Sequence, residues 1–111
     1  MNTQVEIVQH NEDTTKFVIS GKFGNGIQKA FRNAYEENKA KSYIIDLGNA
    51  ENMDSSGLGM MLLMRDFVGG ENSDIEIINC SEHILDILHV TCFHKLFKIN
   101  QLDDKQAKSN M

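Results

Sequence analysis

YIIDLGNAENMDSSGLGMMLLM, residues 43–64, sets out three elements in a row. Tyr43-Ile44-Ile45-Asp46-Leu47 is apolar without alternation, the pattern of a strand covered on both faces. Gly48 to Met53 reads as a loop. Asp54-Ser55-Ser56 then offers helix N-cap chemistry, with Ser55 better placed than Ser56 to act as the cap. The apolar stretch that follows is expected to be a helix as far as about Val68, stopped by Gly69-Gly70. Strand, loop and helix together make one unit of an α/β sheet.

Working outward, the flanks repeat the unit. Upstream, Val5 to Val8 is a short apolar-rich run, followed by the polar cluster His10-Asn11-Glu12-Asp13. Lys16 to Phe23 alternates, with Phe17, Ile19 and Phe23 on one side and Lys16, Ser20 and Lys22 on the other. These runs predict a β-hairpin joined by a loop rather than a tight primed turn. After Gly24-Asn25-Gly26, the positions Ile27, Ala30, Phe31, Ala34, Tyr35 and Asn38 follow the spacing of an amphipathic helix. Downstream, Ile75 to Ile78 reads as another buried strand, and Ser81 as the cap of a helix carrying Ile84, Leu85 and Leu88. Leu96-Phe97-Lys98-Ile99 reads as a short last strand, with a polar tail from Asn100 onward. The order β-β-α-β-α-β-α-β predicts an α/β fold. Its small mixed sheet would have four to five strands, an antiparallel N-terminal edge and parallel strands beyond it. Sites in such sheets lie beyond the carboxyl ends of the strands, which directs attention to the loop after Leu47 and the start of the Ser56 helix.

Composition narrows the function. The chain has 111 residues, the length of one domain, and 41% of them are hydrophobic, enough to fill one core. Lys and Arg number 11 against 16 Asp and Glu, for a net charge of −5. No basic cluster is present, so nucleic acid is not expected as a partner. The longest apolar run, Met60 to Met64, is far short of a membrane span, and Met1 to Gln9 lacks the features of a secretory signal. A cytoplasmic protein is expected. Cys80 and Cys92 form no C-x-x-C, and the apolar neighbours of Cys80 predict a buried thiol. Cys92 and His94 lie close in sequence without a second close ligand pair, and His10, His83 and His89 complete no metal motif. Neither metal nor cofactor is expected.

Enzymatic motifs are missing as well. Gly24-x-Gly26 opens a helix, but Lys29 occupies the third glycine position of a dinucleotide fingerprint, so a flexible turn is the better reading. No phosphate loop and no G-x-S-x-G elbow occur, and the sequence positions no histidine as a base. Asp46 at the end of a strand invites comparison with a phospho-accepting aspartate. However, Gln9-His10 stands where the first strand of such a domain would end in an acidic pair.

Tyr43 to Leu63 resembles the signature of the STAS domain, the sulphate-transporter and anti-sigma-factor-antagonist family, and the likeness extends more weakly over residues 3 to 99. Met53-Asp54-Ser55-Ser56-Gly57-Leu58-Gly59 closely resembles the bacterial anti-sigma-factor antagonists, whose phosphorylated residue directly precedes this glycine and maps onto Ser56. The chain departs from the family at Asn52, which is polar, and at Val90-Thr91-Cys92, where many members have a glycine. It also lacks all or most of the C-terminal helix. The resemblance implies a non-enzymatic partner switch. Unphosphorylated protein would bind an anti-sigma factor that is also a serine kinase, phosphorylation of Ser56 would end the complex, and a serine phosphatase would reset it. ATP and magnesium would belong to the kinase. The other reading that the resemblance allows is a constitutive adaptor subunit, for example of a lipid-transport ATPase, without phosphorylation.

The motif's physical chemistry suits a switch. A serine in the first helical turn faces backbone N–H groups and the positive end of the dipole, which can hold a phosphate. Gly57 and Gly59 would permit close approach of another backbone. A phosphoryl group would add about −1.5 to −2 charge beside Asp54 and Glu51. On the helix, Met60, Leu63, Met64 and Phe67 form one stripe, with Leu58, Met61 and Leu62 opposite. One stripe should cover the sheet, and the other either lies under a neighbouring helix or meets a partner. The expected phosphosite environment and partner surface are therefore Asp54, Ser55, Gly57, Leu58, Gly59, Met61 and Leu62.

Overall fold

A computed structural model describes residues 4–100. Five strands alternate with three helices: β1 Gln4–Asn11, β2 Thr14–Phe23, α1 Gln28–Glu37, β3 Ser42–Met53, α2 Ser55–Phe67, β4 Ile75–Ile78, α3 Glu82–Val90 and β5 Lys98–Asn100. In the sheet the strands stand in chain order, β1 antiparallel to β2 and every other neighbour parallel. This is the mixed sheet with an antiparallel edge that the sequence predicts. Parallel steps taken in one direction through right-handed crossovers place all three helices on one face.

Burial along the strands agrees with a sheet covered on that face. Thr15, Phe17, Ile19 and Phe23 of β2 are buried while Lys16, Val18 and Ser20 between them are half-buried. Tyr43, Ile45 and Leu47 of β3 are likewise buried, with Ile44 and Asp46 only half-covered. The expectation of a strand covered on both faces is thus corrected, since apolar Ile44, on the other face, is only half-buried. Phe31 joins the layers, its ring 5.3 Å from Phe23 and 5.5 Å from Tyr35, and Tyr35 stands 5.4 Å from Phe67 of α2.

Other boundaries shift for local reasons. The hairpin turns tightly over Glu12-Asp13, neither with positive φ, after a bulge between Gln9 and Asn11. The Asn11 side chain caps the turn by accepting from the Asp13 N–H at 2.9 Å. The predicted loop from Gly48 to Met53 is strand, because β2 is long enough to pair with it from Ser20↔Asn49 to Phe23↔Met53, with one register shift inside that span and another just before it. Ala30, placed on the apolar face of α1 by its spacing, is exposed, whereas Ile27, Phe31, Ala34 and Tyr35 are buried. The last strand begins at Lys98, later than Leu96, because Phe93–Lys95 forms a 3-10 turn that seats Phe93 and Phe97 in the core. Ser81 caps α3 as expected, accepting from the Ile84 N–H at 3.2 Å. The predicted polar tail lies outside the described residues beyond Asn100, which still pairs with Ile78.

Candidate functional site

The carboxyl ends of β2 and β3 deliver two chain segments side by side, and the head of α2 is built where they meet. Asp54, in extended conformation, is the N-cap: its Oδ1 accepts from the N–H groups of Ser56 at 2.9 Å and Gly57 at 3.3 Å. The cap is therefore Asp54 and not Ser55, which is the first helical residue and exposed. Lys22, from the end of β2, places Nζ 3.5 Å from Asp54 Oδ2. Partial burial works to raise the Asp54 pKa. The two N–H donors and Lys22 outweigh it and hold the carboxyl below its ordinary value.

Two glycines make this packing possible. A Cβ on Gly24 would lie 2.9 Å from both Asp54 carboxylate oxygens. A Cβ on Gly57 would run into the Phe23 carbonyl oxygen and lie 2.7 Å from Met53 Cγ. Gly57 thus serves the chain's own packing, which corrects its expected role at a partner's backbone. A Cβ on Gly59 would meet nothing within 4 Å, so that position stays open to an approaching surface.

Ser56 is half-buried and lines a groove with Asn25, Gln28 and Gly59. Of the first-turn N–H groups expected to hold a phosphate there, those of Ser56 and Gly57 are already engaged by Asp54. The buried face of α2 is Gly57, Met60, Met61 and Met64, and it cuts across both predicted stripes. Met61, expected on the partner surface, is 0% exposed and cannot be reached. Leu62, Leu63 and Phe67 are exposed and Leu58 is half-buried. A helix apolar nearly all round gives its periodicity no phase, so the sequence could not say which side faces the sheet. Met60, Met61 and Met64 of this helix fill the core.

Lys22 and Gly24 are the participants that the motif alone does not reveal. Lys22 looks like an ordinary outward residue of an alternating strand, and Gly24 like a flexible turn. Only the parallel pairing of β2 with β3 brings both against Asp54. Within β3, where its pairing with β4 ends, Asp46 accepts from the Gly48 N–H at 2.9 Å and from Asn79 Nδ2 at 3.3 Å, with Lys16 4.0 Å away. That carboxylate ties β3 to the residues following β4. Cys80 beside it is buried as predicted, and burial, with Asp46 nearby, pushes its thiol up to about 12. Among the described residues, no group of three His, Cys, Asp or Glu side chains is placed to hold a metal ion. No helix among them is long and apolar enough to cross a membrane.

Fold and site together define a small α/β protein that presents a serine in the first turn of a capped helix beside an open groove. The model of the STAS domain matches residues 6–104, and the chain belongs to that family. A STAS-domain containing protein of Pseudomonas aeruginosa is 46% identical over 84 residues, 74% of this chain and 83% of that protein. Among solved structures, an anti-sigma factor antagonist from Mycobacterium paratuberculosis superposes with a TM-score of 0.72 at 19% identity, covering 99% of this chain and 94% of that one. The Bacillus anti-sigma factor antagonist SpoIIAA, in its unphosphorylated form, gives 0.69 at 13% identity over 96% of each chain.

Proposed function

We propose that this protein is a cytoplasmic anti-sigma-factor antagonist, a non-enzymatic partner switch with Ser56 as its phosphoacceptor. Unphosphorylated, it binds an anti-sigma factor or comparable regulator bearing a serine kinase. Transfer of a phosphoryl group to the Ser56 hydroxyl ends that complex, and a serine phosphatase restores it. ATP and magnesium belong to the kinase.

The observation that carries this reading is the division of labour at the head of α2. Capping falls to Asp54, so the Ser56 side chain is not needed to hold the helix start and stands at the groove. Membership of the STAS family and the likeness in fold to anti-sigma factor antagonists support it. A phosphoserine at this point would stand beside the Asp54 carboxylate, and inside an interface that charge would be desolvated at a cost of several kcal/mol.

Two substitutions and a mass measurement test the reading. Ser56→Ala removes the acceptor and adds no charge, so it is expected to stay bound to the kinase partner. Ser56→Asp keeps the fold, because an anion at a helix start is favourable. Its partner affinity is expected to fall about a hundredfold, the equivalent of roughly 3 kcal/mol. Equal affinities in calorimetry, or tandem mass spectrometry placing the phosphate on Ser55 or on neither serine after incubation with the kinase, would refute it.

A further inference from the structure

Asn25-Gly26 is the one place in the chain where an asparagine directly precedes a glycine. The pair opens the 3-10 turn Asn25–Ile27 between β2 and α1, and both residues are exposed. Two main-chain bonds hold that turn, from the Ile27 N–H to the Gly24 carbonyl at 3.1 Å and from the Gln28 N–H to the Asn25 carbonyl. The Gly26 N–H donates to no group among the described residues, and the Asn25 side-chain amide is equally unengaged there. A Cβ on Gly26 would meet nothing within 4 Å, so the space around this residue is open.

An exposed amide beside a free main-chain N–H can react within the chain. The Gly26 nitrogen attacks Cγ of Asn25 and gives up its proton. A new N–C bond forms, the bond from Cγ to the side-chain nitrogen breaks, and ammonia leaves carrying that proton. The succinimide ring so formed takes up one water molecule and opens at either carbonyl, leaving aspartate or isoaspartate. Glycine favours the closure because it has no Cβ to obstruct the ring and reaches backbone angles closed to other residues. Other asparagines lack this combination. The N–H after Asn72 donates to the Gly70 carbonyl at 3.0 Å, Asn33 lies inside α1, and Asn49 and Asn52 lie in β3.

We propose that Asn25-Gly26 is a spontaneous deamidation site, whose product is a carboxylate on the groove that Asn25 shares with Ser56. Asn25, Gln28, Ser56 and Gly59 line the same hollow, so the new charge enters the surroundings of the serine hydroxyl without altering the serine. It joins Asp54, which already stands at that helix start with Lys22 3.5 Å away. A phosphoryl group on Ser56 can be hydrolysed off again, whereas no phosphatase removes this carboxylate. Deamidation therefore ages the site toward the anionic state that phosphorylation reaches reversibly. That consequence, though not the reaction, rests on the Ser56 reading.

The full-length chain, kept folded at mildly alkaline pH and sampled over time, tests this by peptide mapping. The peptide containing Asn25 should gain the mass difference between a hydroxyl and an amino group, divided between aspartate and isoaspartate, ahead of every other asparagine. Gly26→Ala should slow the conversion about tenfold, a difference of about 1.4 kcal/mol in the barrier. The folded chain should react within about tenfold of the free peptide Phe-Gly-Asn-Gly-Ile, because the turn leaves both reacting groups unengaged. Conversion that begins at another asparagine, an undiminished rate in Gly26→Ala, or a folded chain far slower than the peptide would each overturn the site. For the consequence, Asn25→Asp is expected to bind the kinase partner about tenfold more weakly than the uncharged Asn25→Ser. Equal affinities of these two, alongside a loss in Ser56→Asp, would overturn it. The mapping contains no kinase, so it stays decisive where Ser56 is never phosphorylated, and its failure leaves the phosphorylation test intact.

Discussion

The head of α2 and the end of α3 are both places where the chain changes direction at a helix terminus, and they are built to different standards. At the head of α2 the N–H groups of Ser56 and Gly57 have an acceptor, the acceptor has a cation, and Gly24 and Gly57 let two backbone segments close on each other. At the end of α3, Cys92 is held in the left-handed region with φ 63, a conformation that glycine adopts without strain. Precision is concentrated where Ser56 is presented. The far terminus carries strain in an exposed residue and borrows help from the Thr91 hydroxyl, which donates to the Ile87 carbonyl at 2.8 Å.

The sharpest way to break this contrast is Gly57→Ala. The added methyl meets the Phe23 carbonyl, and a backbone neighbour cannot swing aside as a flexible side chain could. Overpacking of this kind costs about 1–3 kcal/mol, offset in part by the helix preference for alanine of about 1 kcal/mol. A net loss of up to about 2 kcal/mol is expected in urea unfolding, while Gly59→Ala, two residues on and facing open space, should be neutral or stabilising. Equal effects at the two positions would mean that α2 is not pressed against β2.

Cys92→Gly probes the other terminus and should move stability in the opposite direction. Relief of the left-handed conformation is expected to raise stability by about 1 kcal/mol, read as a higher melting temperature. A loss would show that the Cys92 side chain contributes more than its backbone costs.

The smallest effect sharpens the contrast through pH. Asp54→Asn retains a good cap but loses the charge facing Lys22. Because the Asp54 pKa is lowered by folding, its contribution is present above the ordinary aspartate value of 3.8 and disappears as pH falls through the folded value. The wild type should therefore melt slightly higher than Asp54→Asn near neutrality, and the gap should close below pH 3.8. A gap that persisted into acid would assign the difference to packing.

Much of this architecture is legible in the residues. The alternation of Lys16 to Phe23, the apolar runs at Tyr43 and Ile75, and the caps before α2 and α3 prescribe the element order and the mixed sheet. The absence of a glycine at Val90-Thr91-Cys92 already marks where strain would fall. What the sequence withholds is orientation. Asn49, Ala50 and Asn52 look like loop residues because nothing local says that β2 is long enough to pair with them. Met61 and Leu62 look equivalent on an apolar helix, yet one is sealed in the core and the other faces outward. The Lys22–Asp54 contact depends on two strands lying parallel, which no local pattern states.

The order of the strands also bears on how the chain assembles. Each ladder joins strands that are neighbours along the chain, from β1 with β2 to β4 with β5. No strand has to wait for a segment from the far end, and each crossover closes one modest loop, whose entropic cost grows only slowly with length. The sheet can grow outward from the N-terminal hairpin, so every intermediate stage exposes one unfinished edge that the next strand covers. Only the hairpin is local, however: the parallel ladders join residues as far apart as Tyr43 and Ile75 or Glu76 and Lys98, and pairing of that kind is the slower step.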